Sequence, residues 1–244
     1  MQLLVPHYLV DELLLAMRAA DPEVKLIPLT EDGRYPESLE GVDALFKFYP
    51  GGEYPVVWGH EVLRDILRAA PKLAWIHAGK AGVEDFMIPE LIGSDIILTN
   101  GAGFPRRAIA ETVLGFILAD AKQLHVHYRN QMAGQWKHIP HRELPGFTVA
   151  ILGLGRIGLE IARLCKALDL RVIGTRRNPP PAPLPNVDMV YPSSQQNECV
   201  AQADYVVIAA ALTADTIGMV DASTFGAMKA DAVLINVARG AIVN

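Results

Sequence analysis

Three glycines in the run Gly153-Leu154-Gly155-Arg156-Ile157-Gly158 are the first place in this chain where residue type and spacing imply chemistry. An apolar stretch, Thr148–Leu152, precedes them and reads as a strand. Ile157, Ile161, Leu164 and Leu168 follow at i, i+4, i+7 and i+11 and read as a helix. In a strand-turn-helix context each glycine has its own task. Gly153 permits the tight turn, Gly155 lets the backbone come close to a pyrophosphate, and Gly158 allows the helix to pack on the strand. The helix N-terminus, whose first N–H groups have no carbonyl a turn behind them, would face the pyrophosphate charge. Gly153, Leu154, Gly155, Arg156, Ile157 and Gly158 are therefore expected to hold a dinucleotide.

The end of the next strand bears on which dinucleotide. About 20 residues after such a turn, an NAD site places Asp or Glu against the ribose 2′-hydroxyl. This chain has Thr175-Arg176-Arg177 there, with no acid. Guanidinium groups keep their charge and match phosphate geometry. No other anion for them is visible in the sequence, so Arg176 and Arg177 point to the 2′-phosphate of NADP, with NAD the alternative.

Other reactive side chains form weaker patterns. His125, His127, His138 and His141 lie close in sequence, but His125 and His127 do not share a helix face, and no Cys or acid completes a zinc-ligand spacing. A polar arm or subunit contact is the expected role. His77 is expected to be a structural residue at a strand end. No nucleophile elbow of the Gly-x-Ser-x-Gly type and no phosphate loop ending in Gly-Lys-Ser/Thr is present. Cys165 and Cys199 are expected to be small buried apolar side chains, as suits a reducing cytosol.

The elements that must position these residues alternate throughout. Expected strands are Gln2–Val5, Val24–Pro28, Ala44–Phe48, Leu73–His77 and Ile96–Thr99, with a helix carrying Val62, Ile66 and Leu67 that ends at Pro71. A single long helix is expected over Arg106–Met132. A second series follows: Thr148–Leu152, Arg171–Thr175, Asp188–Tyr191, Tyr205–Ala210 and Val233–Val237. Such near-continuous apolar runs suit parallel strands covered on both faces. The stretch Pro179–Pro185 reads as a loop. The expected fold is α/β, with a smaller flavodoxin-like substrate domain over residues 1–102 and a Rossmann-type, doubly wound parallel sheet over residues 103–244. Five strands in the second series are one short of the six of the doubly wound sheet.

The 244 residues are 51% hydrophobic and 20% charged, with a net charge of −5. That balance allows one large or two modest domains and offers no basic surface for nucleic acid. No apolar run reaches membrane-spanning length and no signal peptide is visible, so a cytoplasmic location is expected.

Further motifs carry a resemblance. They are Trp75-Ile76-His77-Ala78-Gly79-Lys80-Ala81-Gly82-Val83, Leu98-Thr99-Asn100, Ala110-Glu111-Thr112-Val113-Leu114, the glycine turn, Ala203-Asp204-Tyr205-Val206-Val207, Leu212-Thr213-Ala214-Asp215-Thr216-Ile217-Gly218, and Ile235-Asn236-Val237-Ala238-Arg239-Gly240. In this order, from about residue 70 onward, the chain resembles the D-isomer-specific 2-hydroxyacid dehydrogenase family. The resemblance implies an NAD(P)-dependent oxidoreductase acting on a small 2-oxo acid such as glyoxylate or hydroxypyruvate, or the reverse, and a homodimer. It implies that backbone N–H groups around Lys80, Ala81 and Gly82 hold the substrate carboxylate, and that Arg239 binds the carboxylate and carbonyl oxygen. It also implies that Ala210, Ala211, Leu212, Thr216, Val237 and Ala238 line the cofactor. In the family a glutamate and then a histidine lie beyond the arginine and manage the proton. Both would fall after Asn244, and the alternative expectation is a dinucleotide-binding or cofactor-sensing module without catalysis.

Overall fold

The structure is a computed structural model and describes residues 1–30, 32–35, 38–47 and 59–244. It divides into two compact units, Met1–Phe104 and Pro105–Asn244. Residue 48, the last of the strand expected over Ala44–Phe48, lies outside the described residues.

The first unit holds β1 (Gln2–Pro6), α1 (Val10–Ala20), β2 (Lys25–Leu29), β3 (Ala44–Lys47), α2 (His60–Ala69), β4 (Trp75–Ala78), α3 (Pro89–Ile92) and β5 (Ile97–Asn100). Its sheet is parallel with order β2-β1-β3-β4-β5. That is the flavodoxin-like order, whose direction of winding reverses between β1 and β3. Alternation along β1 sets the layers. Leu4 faces a core with Ile27, Leu45, Leu63, Ile66, Ile76 and Phe86, while Leu3 and Val5 face Val10, Leu13 and Met17 of α1.

The second unit holds α4 (Arg106–Ala121), α5 (Leu124–Met132), β6 (Thr148–Leu152), α6 (Arg156–Lys166), β7 (Arg171–Arg176), β8 (Met189–Pro192), α7 (Gln196–Val200), β9 (Tyr205–Ile208), α8 (Ala222–Ala227) and β10 (Val233–Asn236). Its parallel sheet has the order β10-β9-β6-β7-β8. Every residue of β6 is buried. Val149 and Ile151 pack with Val113 and Ile117 of α4 and Ile161 and Cys165 of α6. Ala150 and Leu152 pack on the opposite face with Cys199, Val200 and Val220. Coverage on both faces is what the continuous apolar runs required. Both cysteines are free and buried, and burial pushes their thiols up to about 12, so they are protonated packing groups at neutral pH.

The expected single helix over Arg106–Met132 is instead two. Gln123 takes a left-handed backbone, φ 52°, between α4 and α5. A non-glycine residue there needs compensation. Arg142 N–H donates to the carbonyl of Ala121 (2.8 Å), Lys122 Nζ donates to the carbonyl of Arg142 (2.8 Å), and Gln123 Nε2 donates to the carbonyl of Asp120 (2.8 Å). The chain segment near Arg142 thus takes over the end of α4. Nearby, Asp120 accepts from Arg142 and from the Tyr205 hydroxyl, and Tyr205 lies edge-on to Phe147. Leu168, expected on α6, lies two residues past its end and still packs on the core. The run expected to be strand through Ala210 leaves the sheet after Ile208, and that expected through Val237 leaves after Asn236.

Register is fixed at the strand starts by three aspartates. Asp43 accepts from the N–H of Gln2, Asp204 from that of Thr148 and Asp188 from that of Val172, each at 2.7 Å. Each carboxylate precedes one strand and ties the first N–H region of its neighbour. Burial raises the carboxyl of Asp188, but the Val172 N–H and the Lys166 ammonium outweigh it and hold the group below its usual range. A carboxylate depressed in the folded state contributes stability above its unfolded value, near 3.9, that is lost as pH falls through the folded value. Asp188→Ala should therefore lower stability by about 1 kcal/mol at pH 7, the size of a partly exposed charge-assisted bond. In urea unfolding followed at several pH values, the gap to the wild type should close below about pH 4.

Candidate dinucleotide-binding site and substrate loop

Glycine geometry at the end of β6 accounts for the turn. Gly153 has φ +108°, and a Cβ there would lie 2.7 Å from the backbone N and Cα of Ala210. A Cβ on Gly158 would lie 2.2 Å from the carbonyl oxygen of Gly153. Both approaches forbid a side chain. At Gly155 a Cβ would meet nothing within 4 Å, so this position faces open space where a ligand can come close. Gly155 is also the N-cap of α6, and no side chain caps that end. A helix N-terminus that starts on a glycine beside the strand end has the polarity a pyrophosphate requires. The residues present fit a dinucleotide.

Backbone ties hold the turn in place. Ala209 N–H donates to the carbonyl of Leu152 and Leu154 N–H to that of Thr175, both at 2.9 Å. These bonds bring the ends of β6, β7 and β9 together where the strand order reverses, the place where open α/β sheets bind ligands. A cavity of about 260 Å³ opens there, lined by Gly153, Leu154, Gly155, Arg176, Arg177, Ala210, Ala211 and Thr216, and by Thr175, Ser193, Gln196, Ala209, Thr213 and Met219. The first eight were singled out from the sequence; Thr175 and Thr213 stand in quoted motifs without an assigned role, and the other four reach the wall through sheet order. Arg156, Ile157, Gly158, Leu212, Val237 and Ala238 do not line it. Leu212 and Ala238 pack on the β9 core and Ile157 and Val237 on the α6 side.

Arg177 differs from its sequence expectation. Read as lacking an anion, it pairs with Asp215: Nη2 donates to Oδ2 at 2.8 Å, and both side chains are exposed. The two are 38 residues apart, so only the return of the chain after β9 brings them together. Arg176 forms no ion pair among the described residues. The Thr216 hydroxyl donates to the carbonyl of Ala211 (2.7 Å) and accepts from Thr213 N–H (2.7 Å), so it shapes the turn of the cavity wall.

Arg239 is exposed and follows β10. Its Nη1 donates to the carbonyl of Ala238 at 2.9 Å. Asn236 braces this turn: its Oδ1 accepts from Ala238 N–H (2.9 Å) and its Nδ2 donates to the carbonyl of Arg239 (3.0 Å). Asn236 was not expected to act, although its place at the strand end, where Asn commonly bonds its own backbone two residues on, is the available signal.

In the first unit, Lys80, Ala81 and Gly82 form the loop after β4. Asn100 Nδ2 donates to the carbonyl of Ala81 at 2.7 Å and ties the loop to the end of β5. The Lys80 ammonium donates to Asp85 at 2.6 Å, and Lys47, at 3.8 Å from the same oxygen, is largely buried against the Phe86 ring. Burial lowers the Lys47 ammonium, offset in part by Asp85. Burial raises the Asp85 carboxyl, and the two lysines overcome it, so its net shift is downward. Asp85 and Lys47 were not anticipated. His77 is occupied by Thr99 Oγ1 (2.9 Å) and stacks on Phe46. Among the described residues no group of three or more His, Cys, Asp or Glu is arranged to hold a metal ion.

Fold and turn together define a dinucleotide-binding α/β protein of the doubly wound class. Residues 114–244 match the family model for the NAD binding domain of D-isomer specific 2-hydroxyacid dehydrogenases. The chain is 28% identical over 190 residues to the D-3-phosphoglycerate dehydrogenase of Methanocaldococcus jannaschii, covering 76% of this chain and 36% of that protein. It is 25% identical over 217 residues to the glyoxylate reductase of Pyrococcus furiosus, covering 85% and 61%. A solved D-isomer specific 2-hydroxyacid dehydrogenase family protein from Aeromonas salmonicida subsp. salmonicida matches with a TM-score of 0.79 at 27% identity, over 100% of this chain and 74% of that one. The chain belongs to the D-isomer specific 2-hydroxyacid dehydrogenase family.

The close approach at Gly153 gives a direct expectation. Gly153→Ala combines a strained φ with a backbone clash, and should cost about 2 kcal/mol or more. The denaturation midpoint should fall accordingly, and dinucleotide binding should weaken, because Ala210 must move into the cavity.

Proposed function

We propose that the protein is an NAD(P)-dependent oxidoreductase that reduces a small 2-oxo acid of the glyoxylate or hydroxypyruvate type to the D-2-hydroxy acid, or runs the reverse. The observation that carries this reading is the convergence of Gly153, Gly155, Ala210 and Arg176 on one cavity at the sheet's switch point, in a chain of this family. Residues 1–102 serve as the substrate-binding domain and residues 103–244 as the dinucleotide-binding domain. When bound, the dinucleotide supplies or accepts a hydride. Residues of the chain do the rest. Backbone N–H groups of Lys80, Ala81 and Gly82 hold the substrate carboxylate. The Arg239 guanidinium, in a turn braced by Asn236, orients the 2-oxo acid and stabilises charge on its carbonyl oxygen. NADP is favoured over NAD because Arg176 and Arg177 stand where a 2′-phosphate is read.

A second copy of the chain is the proposed partner. Phe116, Leu124, Tyr128 and Met132 are exposed along α4 and α5, and Trp136 is fully exposed beyond them. Apolar surface of this extent is costly to leave in water. Trp136→Ser with Met132→Glu should shift the protein to monomer in analytical ultracentrifugation; an unchanged sedimentation coefficient would place the interface elsewhere. No helix of the described residues is long and apolar enough to cross a membrane, and a cytoplasmic location is proposed.

Activity is tested by following absorbance of NADPH and NADH with glyoxylate, hydroxypyruvate and pyruvate in turn. Turnover with faster use of NADPH is expected. A folded sample that binds dinucleotide yet turns over none of the three would leave a binding module. Arg239→Ala should lower kcat/KM about a hundredfold or more, the scale for losing a charge that stabilises a developing oxyanion, with dinucleotide affinity retained.

A further inference from the structure

Arg177 stands on the wall between two cavities. One is the 260 Å³ cavity above Gly153 and Gly155. The other, of about 330 Å³, is lined by Asp215, Ser194, Asn197, Asp221 and Ser223 as well as Arg177, and Asp215 belongs to this second cavity alone. The ion pair at 2.8 Å therefore engages the Arg177 guanidinium with a carboxylate of the second cavity. Asp215 is held in place by the Thr213–Thr216 turn, which the Thr216 hydroxyl closes on Ala211. Both partners are largely exposed, at 66% and 73%, so the pair is weak enough to be broken by a stronger anion.

We propose that Asp215 is a specificity-determining residue that competes with the ribose 2′-phosphate for Arg177 and so holds down the preference for NADP over NAD. This rests on the reading of Arg176 and Arg177 as the 2′-phosphate site. A ribose hydroxyl is uncharged and leaves the Arg177–Asp215 pair in place. A 2′-phosphate carries about two negative charges and must either take Arg177 from Asp215 or sit beside an uncancelled carboxylate. Asp215 opposes it in both cases. Arg176, which has no ion pair among the described residues, is the part of the site available to either dinucleotide from the outset.

The test is the dissociation constants of NADP⁺ and NAD⁺, by calorimetry at low and at moderate salt, for the full chain and for Asp215→Asn, Arg177→Met, Arg176→Met and the Asp215→Asn/Arg177→Met double variant. Asp215→Asn should raise the NADP⁺ to NAD⁺ affinity ratio about fivefold, the upper range for an exposed charge pair. The gain should shrink with salt and vanish in the Arg177→Met background. If Asp215→Asn leaves the ratio unchanged while Arg177→Met lowers it, the competition is refuted and the phosphate site stands. If Arg177→Met and Arg176→Met each weaken both dinucleotides equally, the phosphate site itself fails and the competition with it. Selective loss of NAD⁺ in Asp215→Asn would make Asp215 a ribose-hydroxyl ligand and overturn the proposal.

Discussion

Backbone must pass within van der Waals range of backbone where β6 ends, and the site follows from that requirement. The approach of Gly153 to Ala210 and of Gly158 to the Gly153 carbonyl leaves no volume for a Cβ at either glycine. Because these two contacts are tight, α6 begins directly against the sheet and its N-cap, Gly155, lies on the cavity wall. The same closeness lets Ala209 and Leu154 reach carbonyls on β6 and β7. Side chains contribute shape around this backbone cradle, and charge enters only at its rim, with Arg176 and Arg177.

At the far end of the strands the chain repeats a different device. Asp43, Asp188 and Asp204 each stand one residue before a strand and accept an N–H from the neighbour. A parallel sheet has no hairpins to fix its register, and these carboxylates set it at the edge opposite the ligand. The two ends of the second sheet thus have separate tasks. Aspartates lock alignment at the amino ends, and glycines and alanines leave room at the carboxyl ends.

Much of this was legible in the sequence. Strands such as Thr148–Leu152 announced themselves because residues buried on both faces form unbroken apolar runs. The glycine turn was legible because each glycine answers a local steric demand. The register aspartates were not, because the apolar-Asp-apolar pattern at 42–44, 187–189 and 203–205 recurs at 168–170, 220–222 and 230–232, and only strand pairing distinguishes them. What was hidden depends on distant partners. The break at Gln123 exists because residues around Arg142 return to bind the end of α4, while the local pattern from Arg106 to Met132 favours one helix. Asp215 meets Arg177 only through sheet order, and the Thr216 hydroxyl turns inward for reasons set by the loop it closes.

The strand order also dictates a history for the chain as it is made. On the growing polypeptide, β6 can pair with β7 after one helix, but its other neighbour, β9, is more than fifty residues further on. Until Tyr205–Ile208 has been synthesised, a strand buried along its whole length has one open edge. Parallel pairings of this separation form late and raise contact order. The first unit meets a gentler version of the same delay, since β1 must wait only for β3. The amino-terminal unit can thus close while the second is still an unfinished, adhesive sheet, and that interval is where a nascent chain of this topology most needs shelter from its neighbours.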